Sequence, residues 1–203
     1  MKVVVIDYQL GNINSIVNML KKMGVEATIS NTEHDILTAD KLILPGVGAF
    51  DHGMQNLHNA GLIDILTEAV LHKQIPILGI CLGMQLLLEE SEEGHCKGLG
   101  WIKGQCVRFN SPNKAIKVPH MGWNQVISAQ SNYSLADETR FYFVHSYHAV
   151  CTEPQHVLAT AHHGYAFPAI IGKAHILGSQ FHPEKSHLFG MHFLQKFIES
   201  TSC

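Results

Sequence analysis

Ile75-Pro76-Ile77-Leu78-Gly79-Ile80-Cys81-Leu82-Gly83-Met84-Gln85-Leu86-Leu87-Leu88-Glu89 joins an unbroken apolar run to a helical pattern through a turn set between two glycines. A short apolar run of this kind predicts a strand buried on both faces, and the residues that follow predict a helix beginning near Leu82. Strand, tight turn and helix together make a nucleophile elbow with Cys81 at its apex. Glycine on either side of the cysteine relieves the crowding that a Cβ would meet in so sharp a turn. At a helix N-terminus the unpaired N–H groups favour thiolate over thiol, and the Leu82 N–H faces the place where an oxyanion would form. An isolated cysteine is most often a small buried apolar residue; Gly-x-Cys-x-Gly at this junction favours a nucleophile.

Outward from the elbow, the first half of the chain alternates short apolar runs with amphipathic stretches. Strand signals fall at Val3 to Ile6, Val25 to Ile29, Lys41 to Leu44 and Ile75 to Ile80. Ile13, Ile16, Val17, Leu20 and Met23 share one helical face that Gly24 ends, and helical patterns recur at Met54 to Leu57 and Leu62 to His72. This alternation predicts an α/β fold, an open and mostly parallel central sheet with covering helices. From Gly104 the character changes, with strand signals at Gln105 to Phe109, Phe141 to His145, Val157 to Ala161, Phe167 to Ile171 and Ile176 to Phe181 and little helix between them. An antiparallel portion is therefore expected in the C-terminal half, closed by a helix over Leu188 to Glu199. With 203 residues, one domain spanning 1–203 is expected.

Bulk composition excludes several functions. A net charge of −3 with 15% charged residues leaves no basic footprint for nucleic acid. No segment approaches the roughly 18 apolar residues of a membrane span, and the N-terminus does not read as a signal peptide. Five cysteines, odd in number and without a C-x-x-C pair, predict reduced thiols in a cytoplasmic protein rather than a disulfide framework or zinc site. The fifteen histidines are scattered without ligand spacing, so neither metal nor cofactor is expected.

A thiol nucleophile needs a base, and Gln180-Phe181-His182-Pro183-Glu184 offers one. Residues i and i+2 of an extended chain share a face, so His182 can take the Cys81 proton while Glu184 orients the imidazole. A third segment, Leu44-Pro45-Gly46-Val47-Gly48-Ala49-Phe50, ends another strand in flexible backbone. It reads either as a second oxyanion donor through Val47 or Gly48, or as a tight or phosphate-cradling turn, although the lysine of a P-loop is missing.

These three segments, in this order, resemble class I glutamine amidotransferase domains, which have a Cys-His-Glu triad on a flavodoxin-like sheet. The resemblance covers nearly the whole chain. Within that class, Pro45 to Phe50, Pro119-His-Met-Gly-Trp-Asn124, Tyr142-Phe-Val-His-Ser-Tyr147 and Phe181-His-Pro-Glu-Lys-Ser186 are similar to HisH-type glutaminase subunits of imidazole glycerol phosphate synthase. The resemblance implies Cys81 as nucleophile, His182 as acid and base, and Glu184 as orienter. It implies that Gly46, Gln85, Glu93, His145, Ser146 and Tyr147 bind L-glutamine, although Glu93 by itself reads as a solvated charge. It further implies that Pro119, His120, Met121, Gly122, Trp123, Asn124 and Lys185 face a partner, a HisF-type cyclase subunit in a heterodimer that uses the ammonia in histidine biosynthesis. From the residues alone, Trp123 is either a core plug or an interface anchor.

Gly98-Leu-Gly-Trp101 and Ser186-His-Leu-Phe-Gly-Met191 are also similar to paralogues that supply ammonia for amidating surface-polysaccharide sugars. From other classes, a cysteine hydrolase unrelated to glutamine and a silent binding module on the same fold stay open; neither would respond to glutamine as a substrate.

Overall fold

The computed structural model describes residues 1–110, 116–131, 133, 135 and 139–200. Its first half interleaves strands β1 (Val3–Ile6), β2 (Ala27–Ser30), β3 (Lys41–Leu44) and β4 (Ile77–Ile80) with helices α1 (Ile13–Lys22), α2 (Glu33–Leu37), α3 (Phe50–Asn59) and α4 (Leu62–Thr67). Helix α5 (Leu82–Leu86) follows β4 at once. The helical stretch expected to run from Leu62 to His72 widens into a π-turn over Glu68–His72, where the Lys73 N–H reaches back to the Glu68 carbonyl.

The second half is mostly strand: β5 (Glu90–Ser91), β6 (Gly104–Arg108), β7 (His120–Ser128), β8 (Arg140–His145), β9 (Tyr147–Cys151), β10 (Val157–His163), β11 (Tyr165–Lys173) and β12 (Ile176–Ser179), then helix α6 (His187–Glu199). Among the described residues these form a nine-stranded sheet of order β2-β1-β3-β4-β12-β11-β10-β7-β8 and a three-stranded sheet, β5-β6-β9. From β2 to β12 neighbouring strands are parallel; from β12 to β8 they are antiparallel. The expected mixture is present, and its halves meet where β12 lies against β4 with Ser179 beside Ile80.

Successive residues of the central strands enter opposite apolar clusters, as the two-residue period requires. Val4, Ile6 and Leu44 pack with Phe50, Leu57, Leu62 and Leu66 of the helices on one face. Val3, Val5 and Ile43 pack with Ile16 and Leu20 of α1 and Phe193, Leu194 and Phe197 of α6 on the other. Each such side chain stabilises the fold by about 1.5–3 kcal/mol through burial. The central parallel strands β1, β3 and β4 are thus covered on both faces, and there only the strand ends are open to a ligand. Among the described residues no helix is long and apolar enough to cross a membrane.

Candidate active site

Cys81 stands at the carboxyl end of β4, with φ 54° and ψ −107°. A non-glycine residue held there stores about 1–3 kcal/mol of strain, which surrounding contacts must offset. Its N–H donates to Ser179 on β12 at 2.7 Å, and its carbonyl accepts from the Gln85 N–H at 3.2 Å. The turn is closed by a tight approach of backbone to backbone: a Cβ on Gly83 would land on the Leu44 carbonyl oxygen. Helix α5 is shorter than the sequence pattern suggests, ending at Leu86 instead of running toward Glu89. Leu87 and Leu88 turn into the core, and the Glu89 N–H pairs with Gly104 to start the small sheet. With five helical residues the macrodipole is weak, so electrostatic support for a thiolate must come mainly from the imidazole beside it.

His182 leaves the end of β12, the strand beside β4, so the topology brings it to Cys81, 101 positions earlier in the sequence. Phe181 anchors this segment, stacked on Phe141 with ring centroids 3.7 Å apart and packed edge-on against Phe193. The His182 N–H donates to Tyr142, and the Ser186 hydroxyl donates to the His182 carbonyl at 2.6 Å while accepting from the Tyr142 N–H at 3.0 Å. Nδ1 of His182 lies 2.8 Å from Oε1 of Glu184, with both side chains nearly inaccessible to water.

Burial pulls the His182 imidazole's pKa down, but hydrogen-bonding and charge attraction to Cys81 and Glu184 outweigh it and hold the value up at about 10. Nε2 is buried and makes no hydrogen bond of normal geometry, so the thiol acts on it as a close neighbour without a formed bond. A nitrogen in that condition is free to exchange a proton with a nucleophile or leaving group.

Cys81 and His182 open onto a cavity of about 490 Å³. One wall is the loop after β3, with Val47, Gly48 and Ala49, and Leu82 stands beside the thiol. Gln85 and Glu93 form a second wall, and Val144, His145, Ser146 and Tyr147 at the end of β8 form a third. Gln85 gives its amide nitrogen to the Tyr147 carbonyl at 3.0 Å and to Gln180 Oε1 at 3.2 Å. Glu93 accepts from the Phe50 N–H at 2.9 Å, placing a carboxylate against the start of α3.

Gly46 is the exception among the expected glutamine contacts. It sits behind the loop, packed against Tyr8, Leu82 and Gly83, and does not line the cavity. Tyr8 holds that loop from behind, its hydroxyl donating to the Pro45 carbonyl at 2.5 Å.

The residues expected at a partner surface divide by the alternation of β7. Met121 and Trp123 are exposed, so Trp123 is no core plug, and its indole stacks on the His187 ring. Gly122 and Asn124 are partly covered, while Pro119 lines the cavity. His120 is turned inward and buried. Lys185 is exposed, with its ammonium 5.9 Å from the Tyr142 ring centre.

Two residues with no assigned role prove central. Gln180, fully buried, spans from Gln85 to the Cys81 sulfur, its Nε2 being 3.9 Å from Sγ. Ser186 fixes the backbone of His182 as described. A glutamine among strand residues, next to Phe181 and His182, was the available signal for the first. Among the described residues no group of three or more His, Cys, Asp or Glu is arranged to hold a metal. Cys81, Cys96, Cys106 and Cys151 are free thiols; Cys203 lies outside the described residues.

The family model for glutamine amidotransferase class-I matches residues 4–200. The chain is 50% identical to "Imidazole glycerol phosphate synthase subunit HisH 2" of Pseudomonas aeruginosa, over 97% of this chain and 98% of that one. It is 49% identical to the protein of the same name from Methanococcus maripaludis, over 98% and 100% of the two chains. In fold it matches the structure of PurLQS from Thermotoga maritima, with a TM-score of 0.71 at 19% identity over 97% of both chains. It also matches the glutaminase domain of Trypanosoma brucei CTPS, with a TM-score of 0.68 at 14% identity over 100% of this chain and 96% of that one. Sequence and fold agree: this chain belongs to the class-I glutamine amidotransferase family.

Proposed function

We propose that this protein hydrolyses L-glutamine to glutamate and ammonia through a thioester on Cys81, and passes the ammonia to a HisF-type cyclase subunit with which it forms a heterodimer. The observation that carries this reading is the buried Cys81 and His182 set on one cavity, with Glu184 behind the imidazole at Nδ1 and Nε2 unpartnered beside the thiol. The near full-length identity to proteins named HisH supports the choice of substrate and partner.

The Cys81 thiolate attacks the side-chain carbonyl carbon of glutamine. The oxyanion so formed is held by the Leu82 N–H and by an N–H of Val47 or Gly48, a donor pair of the kind that contributes about 10²- to 10³-fold. The imidazolium of His182 gives its Nε2 proton to the departing ammonia, assistance of roughly 10²- to 10⁴-fold, and then takes a proton from the water that cleaves the thioester. Glu184 holds Nδ1 throughout. Gln85 and Glu93 face the amino-acid end of the substrate, the Glu93 carboxylate toward its ammonium group. The ammonia then serves the partner, which makes imidazole glycerol phosphate and an aminoimidazole carboxamide ribotide.

Glutamate formation by the purified protein, alone and with the organism's HisF-type subunit and its nucleotide substrate, tests this. Strong stimulation in the full mixture is expected. Silence there, with Cys81 still labelled by an electrophilic glutamine analogue, would transfer the ammonia to a sugar-amidating partner. No labelling at all would end the glutaminase reading.

A further inference from the structure

His120 and His145 are cross-strand neighbours on β7 and β8, both buried, with Nδ1 of His120 2.9 Å from Nε2 of His145. The direction of this bond follows from one fixed end. The Tyr147 carbonyl can only accept, so its 2.8 Å contact with Nδ1 of His145 puts a proton on that nitrogen. Burial holds His145 down at about 3 and His120 down at about 4, so both rings are neutral at pH 7. Nε2 of His145 is then bare, and His120 must donate to it from Nδ1. Nε2 of His120 in turn accepts from the Asn124 amide nitrogen at 3.1 Å, and that same nitrogen donates to the His162 carbonyl at 2.8 Å. Two acceptors on one side fix the Asn124 amide, and a single tautomer pattern satisfies every bond.

The bonds do not stop at Tyr147. Its carbonyl also accepts from Gln85, which bonds Gln180, whose amide nitrogen faces the Cys81 sulfur. Phe109, Phe143 and Phe167 pack around the His145 ring at centroid distances of 5.1, 5.6 and 5.2 Å. In such apolar surroundings each bond made is strengthened and each bond left unmade is costly.

We infer that His120 is a positioning residue of the substrate pocket: by donating to Nε2 of His145 it holds the ring whose Nδ1–H meets the Tyr147 carbonyl, and with that carbonyl the side chain of Gln85. The role rests on the glutaminase reading above. It gives an inward task to a residue whose sequence context points to an outward one.

Two substitutions test it. His120→Phe fills the space of the ring and donates nothing, leaving Nε2 of His145 buried and unpaired; His120→Asn restores an amide N–H near the lost Nδ1. In glutamine hydrolysis with the HisF-type subunit present, His120→Phe raises KM for glutamine about tenfold, since a buried acceptor loses its donor. Its kcat per labelled Cys81 stays within about threefold, and His120→Asn recovers most of the KM. A loss confined to the fraction of Cys81 that can be labelled, with KM unchanged, would reduce His120 to packing and overturn the role. Imidazole nitrogen NMR supplies a readout apart from activity: His145 protonated on Nδ1 and bare on Nε2 in the wild type is expected, and the opposite tautomer overturns the relay. Absence of glutamine turnover by the wild type would sink the glutaminase reading and this role together, whereas normal wild-type turnover with an unaltered KM in His120→Phe sinks the role alone.

Discussion

Replacing Glu184 by Gln keeps the side-chain volume beside His182 and removes its charge. The carboxylate stands 2.8 Å from Nδ1 in a site closed to water, so the change is not screened. Hydrogen bonds to charged groups contribute ~1.5–3 kcal/mol and neutral ones ~0.5–1.5 kcal/mol. The imidazolium that pairs with the Cys81 thiolate is therefore destabilised by about 1–1.5 kcal/mol, or roughly tenfold in rate. If the new amide presents its NH₂ to Nδ1, the ring proton moves to Nε2 and the ring can no longer accept from the thiol. An error of that kind in a Ser-His-Asp triad costs about 10⁴ in kcat. The expected fall in kcat lies between these limits, about 10- to 10⁴-fold. KM stays within about threefold, because Glu184 does not line the cavity. Loss of one of the two attractions also lowers the His182 pKa from about 10 toward its ordinary 6.5, which an NMR titration of the imidazole reads directly. A variant that keeps its kcat within threefold, or an imidazole still titrating near 10, would refute the orienting role.

The same pair makes stability depend on pH. His182 titrates at about 10 when folded against 6.5 for the free group, so the folded protein holds an extra proton between those values. Its contribution is complete below about pH 6.5 and is lost as pH rises toward 10; urea midpoints should fall over that window, and less so in Glu184→Gln. Gly83→Ala drives a methyl group onto the Leu44 carbonyl and should cost about 1–3 kcal/mol in urea unfolding, with no loss if the elbow were loosely packed. At φ 54° and ψ −107° Cys81 is strained, so Cys81→Gly should be more stable than Cys81→Ala by about 1 kcal/mol, both being inactive; the reverse order would contradict the strain. Glu93→Gln should raise KM for glutamine about tenfold or more through loss of a charged contact, and an unaltered KM would remove Glu93 from the substrate.

The elbow is legible in the sequence because backbone crowding admits only glycine where Gly83 meets Leu44, and that demand is local. Strands β1 and β4 are legible because burial on both faces leaves them no polar residues, as in Val3–Ile6. His182 and Glu184 are legible as a pair because two-residue spacing fixes which groups share a face. What fails to show in sequence depends on distant partners. Glu93 reads as one charge in an acidic run until α3, 43 residues earlier in the chain, presents the Phe50 N–H. Gln180 reads as an ordinary polar residue until the thiol and Gln85 close around it. His120 belongs to a segment that resembles a partner surface, yet strand alternation turns it inward onto His145. The length of α5 is set by where Leu87 and Leu88 find the core, which helical periodicity does not encode.

The account turns on the Cys81 sulfur as the atom that takes the γ-glutamyl group. Intact-mass and peptide mapping after treatment with an electrophilic glutamine analogue tests that most directly. One adduct on Cys81, suppressed by excess L-glutamine and absent from Cys81→Ser, is the expected result. Labelling spread over Cys96, Cys106 or Cys151, or labelling of Cys81 that glutamine does not suppress, would contradict it.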